Sequence, residues 1–387
     1  MSSPSWDEYR ASFPMFGSRR YFASQALGPV PGSAWDDFEA FRRSLSLGSR
    51  AIPEWIGRLL ELGSLGEELL CAPPGSVAVL PSATAAQAAV AACIQPTSAR
   101  PRIVVDTLAF HSSRYLWAAQ VARGFELVEV PAASDGVSMD TAAIVRAIDE
   151  RVAAVALPLV SPITGAILDV VPIAAAARDA GALLIIDAYQ AAGILPIDAT
   201  QSGADVIVVG THKWLSSGDM GVAFLYVRES LANQLNPAYP GWIGHADMAS
   251  FSTTFVPAHG ARRFQQGSPA MGPIYLARAG LRLALDTGVA TLRERSVLLT
   301  ARLLARAQER GLRISTPLDP SARGPFVVFQ VPDPPAILRI LEAQGFDVDA
   351  RPNAGLRVGP HPAATLEECD LIADAIAQAL HQQSTPA

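Results

Sequence analysis

The middle of the chain alternates between short apolar, β-branched runs and Ala-rich stretches, and no other feature limits its fold as strongly. The runs are Val77 to Leu80, Arg102 to Val105, Glu126 to Val130, Val152 to Pro158, Ala182 to Asp187, Asp205 to Gly210 and Gly221 to Val227. Several are continuously apolar, the pattern of a strand covered on both faces. The stretches between them, such as Asp140 to Arg151 and Val171 to Ala180, carry apolar residues at helical spacing and end near glycine or a charged turn. Strands and helices in this order predict an α/β fold, a mostly parallel sheet sandwiched by helices.

After Val227 the pattern gives way to a region rich in Pro, Gly and aromatics, Asn236 to Pro273. Long irregular stretches in compact domains are often functional. A long helical pattern then runs from Ile274 to Arg310, followed by a strand at Pro325 to Val331, a helix near Pro335 to Gln344, a strand near Gly355 to Val358 and a last helix from Thr365. This predicts a large domain over 51–270 and a smaller C-terminal α/β domain over 271–387. Residues 1–50 show no strand pairing of their own and are expected to pack with the small domain.

With 387 residues, half of them hydrophobic, the chain is neither a disordered tail, a coiled rod nor a small disulfide scaffold. A net charge of -6 without a basic stripe argues against nucleic-acid binding. Met1 to Arg10 carries Asp7 and Glu8 and lacks an apolar h-region, and the apolar runs are interrupted too early to span a bilayer. A cytoplasmic protein with no membrane partner is expected. Cys71, Cys93 and Cys369 are widely spaced and odd in number, which fits neither a disulfide framework nor a metal site, so they are expected as small core residues.

Of the 30 basic residues, 29 are arginine and one is lysine, Lys213. An amine can lose its proton near neutral pH when desolvated and form a Schiff base, whereas a guanidinium stays charged. A surface lysine left by chance is the plainer explanation, so the neighbourhood decides. Lys213 stands in Gly210-Thr211-His212-Lys213-Trp214, directly after a strand, at the carboxyl edge where open α/β sheets bind ligands. One strand earlier, Ala182 to Ile186 delivers Asp187 to the same edge. A carboxylate there needs a partner. It can bond a backbone amide or cap a helix, or it can face a protonated pyridinium nitrogen and hold that ring as an electron sink. Beside a Schiff-base lysine the second reading is preferred. Pro81-Ser82-Ala83-Thr84 leads into a helix of small residues, and hydroxyls and free amides at a helix N-terminus suit a phosphate, although Ser and Thr are also ordinary caps. Phe110, beside His111, follows the second strand, where an aromatic stacks on a flat ring or simply fills core.

In order and spacing these segments resemble the fold-type I pyridoxal-phosphate enzymes of the class V aminotransferase superfamily, and most closely the kynureninases. Tyr21-Phe22-Ala23-Ser24-Gln25-Ala26-Leu27-Gly28-Pro29 is similar to the kynureninase segment ending Asn-Ser-Leu-Gly. Gly241-Trp242-Ile243-Gly244-His245 resembles the Gly-Trp-aromatic-Gly-His loop, and Arg262-Arg263-Phe264-Gln265-Gln266-Gly267-Ser268-Pro269 the next segment near the cofactor. Arg351-Pro352-Asn353-Ala354-Gly355-Leu356-Arg357-Val358 resembles Arg-x-Pro-Asn-x-x-Arg-Val.

The resemblance implies a role for each position. Lys213 would carry pyridoxal 5'-phosphate as a Schiff base and move protons at Cα and beyond. Asp187 would hold the pyridine nitrogen protonated, Gln190 would reach the ring hydroxyl and Phe110 would stack on the ring. Ala83, Thr84 and His212 would hold the phosphate, with Trp242 and Ser268 closing it from a neighbouring subunit, which implies a homodimer with shared sites. Arg357 would bind the α-carboxylate of an amino-acid substrate as a planar fork; the plainer reading is a surface salt bridge. The activity implied is hydrolytic cleavage of kynurenine or 3-hydroxykynurenine to an anthranilate and L-alanine.

Three departures keep other activities in view. Gln190 stands where kynureninases carry histidine, Ser268-Pro269-Ala270 where they carry Asn-Pro-Pro, and Ser112-Ser113 where they carry an acid after the stacking aromatic. The first two features look more like the desulfurase branch, but that branch needs a cysteine before its carboxylate-binding arginine, and Ala350 to Leu356 contains none. The alternatives are a class V aminotransferase, epimerase or lyase acting on a specialised-metabolism amino acid, or a cofactor-binding protein that has lost catalysis.

Overall fold

The structure is a computed structural model that describes residues 5–352 and 354–384; Asn353, in the tail motif, lies outside the described residues. After helix Trp6–Ala11 comes a two-residue strand, β1 (Arg20–Tyr21), and the chain later builds one sheet from β2 (Val77–Leu80), β3 (Arg102–Asp106), β4 (Glu126–Val130), β5 (Val152–Pro158), β6 (Leu183–Asp187), β7 (Val206–Gly210) and β8 (Ala223–Val227). Its order is β2-β8-β7-β6-β5-β3-β4. β8 is antiparallel to both neighbours, and every other pairing is parallel. The expected mostly parallel α/β sheet is therefore what the chain forms. The reversal at β8 follows from its connection: residues 211–222 return directly from β7 without a crossover helix.

Successive residues of each strand point to opposite faces, and both faces are covered. Val77, Val79, Leu184, Ile186, Ile207 and Val209 join a core with helices Ile52–Leu69, Val171–Ala180 and Met271–Thr287. Ala78, Leu80, Ile185, Val206 and Val208 join a second core with helix Ala83–Ala91 and Trp117. That two-sided burial is why the runs are continuously apolar.

Towards the C-terminus, β9 (Val327–Phe329), β10 (Phe346–Asp347), β11 (Asp349–Arg351) and β12 (Gly355–Val358) follow. β11, β12 and β9 form an antiparallel sheet backed by helices Val289–Glu309, Pro334–Ala343 and Leu366–Ser384. Three expectations need correcting. The N-terminal segment does pair: β1 lies parallel to β10, and Ala23 bridges Gly359. The helical pattern from Ile274 to Arg310 is two helices, Met271–Thr287 and Val289–Glu309, broken at Gly288, whose φ of 87° leaves the helical region. Cys71 is exposed rather than core, in a left-handed turn after helix Ile52–Leu69, while Cys369 is buried. No helix among the described residues is long and apolar enough to cross a membrane.

Candidate active site

Because β2 to β7 all run the same way, their carboxyl ends emerge at one edge: Leu80 and Gly210 both lie opposite Ala223, and Pro158 lies opposite Asp187. The turns that follow enclose a cavity of about 160 Å³. Ala83, Thr84, Phe110, Asp187, Gln190, His212 and Lys213, all singled out from the sequence, line it.

The amine of Lys213 stands between two aromatic rings, 4.4 Å from the centroid of Tyr189 and 5.6 Å from that of Phe110. Burial, and then the charge of Arg357, pull the amine down to about 7, against Asp187 and Asp349. Such an amine is a nucleophile at neutral pH. The segment Ala26-Leu27-Gly28 closes over its backbone: Gly28 N–H donates to His212 O at 2.7 Å, and a β-carbon at Gly28 would fall 1.9 Å from Lys213 O. Only glycine permits that approach.

Asp187 opens onto the same cavity. Its Oδ1 accepts from the amide of Tyr189 at 2.9 Å, and its Oδ2 from Ser113 Oγ at 3.1 Å and Gln87 Nε2 at 3.3 Å. Burial pushes the carboxyl up, while the Tyr189 amide and the Lys213 amine are the main groups holding it down. The backbone-amide reading thus holds, and it coexists with a carboxylate turned to the cavity.

Helix Ala83–Ala91 begins at the cavity wall with Ser82 as its cap, the hydroxyl accepting from Ala85 N–H at 3.1 Å. The amides of Ala83 and Thr84 belong to the first turn, where N–H groups lack intrahelical partners. His212 is pulled down to about 4 by burial and by Lys213, so its ring is neutral at pH 7, and Nδ1 lies 2.8 Å from the Tyr189 hydroxyl. Gln190 lines the cavity, but its amide is engaged elsewhere: Nε2 donates to Gln25 O at 2.9 Å and Oε1 accepts from Trp214 Nε1 at 3.1 Å.

The remaining three residues lie outside the cavity lining. Trp242 is 42% exposed and its Nε1 reaches Ser268 Oγ at 3.4 Å; Ser268 borders a second cavity with Leu80 and Pro81. Arg357 is buried, not a surface residue, and Nη1 donates to the carbonyl of Pro162, which does line the Lys213 cavity, at 2.6 Å. Its Nε donates to Asp349 Oδ2 at 2.6 Å and Nη2 touches the same carboxylate. These bonds leave one N–H over on each terminal nitrogen.

Sequence reasoning missed Tyr189, Ser113, Gln87 and Asp349. Ser113 was visible only as a missing acid, and Tyr189 stands two residues from Asp187, close enough to have been weighed. The donor set suits pyridoxal 5'-phosphate: a deprotonatable amine for the aldehyde, a carboxylate for the ring nitrogen, an aromatic wall for the ring face, and a helix N-terminus beside a neutral imidazole for the phosphate.

The class-V aminotransferase family model matches residues 67–367. A kynureninase of Salinispora tropica is 30% identical over 385 residues, covering 92% of this chain and 89% of its own length. An uncharacterized aminotransferase of Bacillus subtilis is 31% identical over 281 residues, covering 69% of this chain and 73% of its own. The apo structure of a cysteine desulfurase from Thermococcus onnurineus has a TM-score of 0.86 at 20% identity, covering 99% of both chains, which is a likeness of fold alone.

Proposed function

The chain belongs to the class-V aminotransferase family, and from that premise we propose a homodimeric, cytoplasmic hydrolase that cleaves kynurenine or 3-hydroxykynurenine. Its cofactor is pyridoxal 5'-phosphate. The observation that carries the choice of reaction is the likeness to a kynureninase along 92% of the chain. The overall reaction consumes one water and breaks the Cβ–Cγ bond, giving an anthranilate and L-alanine.

When bound, the cofactor supplies an aldehyde that condenses with amines and a ring that accepts electron density from Cα. In this proposal Lys213, neutral in part at pH 7, first holds the cofactor and then, freed by the substrate amine, takes the proton from Cα. Asp187 faces the ring nitrogen and balances its charge. Arg357 receives the α-carboxylate on its free edge, held in place by Asp349 and Pro162. Ala83, Thr84 and His212 bind the phosphate, Phe110 covers one ring face, and Trp242 and Ser268 reach the phosphate of a second copy's site. Gln190 lies beside the ring hydroxyl in this proposal, although its amide is committed to Gln25 and Trp214.

The direct test is incubation of the holoprotein with kynurenine and 3-hydroxykynurenine while anthranilate fluorescence and alanine are followed. Release of both products is the expected result; loss of substrate without either would overturn the assignment. A second reading, an aminotransferase, epimerase or lyase, draws on Ser113 in place of an acid and on the engaged amide of Gln190. It predicts a keto acid, an inverted Cα or a different cleavage product from the same incubation.

A further inference from the structure

Behind Asp187, three side chains direct their donors one way. The indole N–H of Trp117 can only donate, and it donates to Oε1 of Gln87 at 3.0 Å. That settles the orientation of the amide, whose nitrogen then faces Ser113 Oγ at 2.8 Å and Asp187 Oδ2 at 3.3 Å. Ser113 has one hydroxyl proton. With its oxygen accepting from Gln87, that proton goes to Asp187 Oδ2 at 3.1 Å. Trp117 and Gln87 are 2% and 3% exposed, so bulk water does not compete at the start of the chain of bonds, while Ser113 and Asp187 stand at the cavity wall.

Each bond polarises the next, and donors aimed at a carboxylate favour its charged form. Burial works against that form at Asp187, and Ser113 and Gln87 are among the groups that oppose burial. We propose that Trp117, Gln87 and Ser113 form a one-way donor relay that keeps Asp187 an oriented carboxylate toward the cofactor's ring nitrogen, with Ser113 as its terminal positioning residue. The inference rests on the assignment of Asp187 in the proposed function.

The relay also gives a reason for the departure at Ser112-Ser113. A second carboxylate in van der Waals reach of Asp187 would leave one of the two holding a proton, since adjacent like charges do not both ionise. A hydroxyl supplies a donor and adds no charge. Among the described residues lining the cavity Asp187 is the only acid, so the counter-charge to the ring would rest on it. The Tyr189 amide on Oδ1 belongs to the backbone and survives any change of these side chains.

The test is an equilibrium titration of the full chain, stripped of cofactor, with pyridoxal phosphate and with its deaza analogue, in which a C–H replaces the ring nitrogen. Ser113→Ala is expected to bind pyridoxal phosphate about tenfold or more weakly, the loss that follows one hydrogen bond to a charged group. Its affinity for the deaza analogue should equal that of the unsubstituted protein, and Ser113→Thr, which keeps the hydroxyl, should restore the affinity for pyridoxal phosphate. Equal losses for the two ligands would make Ser113 a mere wall of the cavity, and an unchanged affinity for pyridoxal phosphate would make the relay idle; either overturns the proposal. An unsubstituted protein that binds pyridoxal phosphate no better than the deaza analogue would instead remove the contact between Asp187 and the ring nitrogen, and the relay with it.

Discussion

The ring of Tyr189 stands with its centroid 4.4 Å from Nζ of Lys213, and it does so because Gly210 has no side chain. A β-carbon at Gly210 would fall 1.9 Å from Cζ of that ring. Through its amide the same residue holds Asp187, and through its hydroxyl His212. Gly210→Ala is therefore expected to displace the ring and destabilise the protein by about 1–3 kcal/mol, the usual range for overpacking. Calorimetry would read this as a lower thermal midpoint, and adding Tyr189→Ala should recover part of the loss. A Gly210→Ala protein as stable as its parent would contradict the packing.

The titration of Lys213 sets a second expectation. Its amine is drawn down to about 7 from 10.5, first by burial and then by Arg357. Between those values the unfolded chain binds a proton that the folded chain lacks, so stability from this group is fully present above 10.5 and is lost as pH falls through about 7. The neutral amine is also the nucleophile. The rate at which cofactor-free protein condenses with pyridoxal phosphate should rise with pH around a midpoint near 7, and Arg357→Ala should move that midpoint up. Borohydride should fix the cofactor to the parent protein and not to Lys213→Ala. A parent midpoint near 10.5 would show an amine exposed to water.

Arg357 and Asp349 form a largely desolvated pair, with side chains 6% and 12% exposed. Removing one partner of such a pair leaves the other charge buried and costs about 3–5 kcal/mol. Asp349→Ala should lower stability on that scale in urea unfolding, and Asp349→Ala with Arg357→Met should regain much of it. Arg357→Lys keeps the charge but not the fork. It should raise KM for the amino acid by about tenfold, the loss of one hydrogen bond to a charged group, with cofactor affinity unchanged. An unchanged KM would place the α-carboxylate elsewhere.

These residues also show where sequence reasoning reaches and where it stops. The sheet was legible because strands buried on both faces cannot hide their continuous apolar runs, and Lys213, Asp187, Ala83 and Phe110 were legible because chemistry at the end of such a strand faces one edge. The β1–β10 ladder left no trace, since two residues make no pattern. The break at Gly288 was masked by helical spacing that continues on both sides. Gln87 lies a hundred residues from Asp187, a contact no local period carries. Tyr189 reads as one more core aromatic until Gly210 is seen to make room for it.

Trp242 and Ser268 carry the last prediction. Bonded to each other, they are not part of the lining of the Lys213 cavity of their own chain, and in the proposed dimer they serve the cofactor of the second copy. Light scattering should then give a dimer. Lys213→Ala destroys the site on its own chain, while Trp242→Ala with Ser268→Ala spoils the site on the partner. When the two inactive proteins are mixed and refolded together, each hybrid dimer regains one intact site, because one chain supplies Lys213 and the other supplies Trp242 and Ser268. An isologous dimer formed at random in an equal mixture yields half hybrids, so about a quarter of the parent activity should return. No recovery, with hybrids shown to form, would mean that each chain completes its site alone.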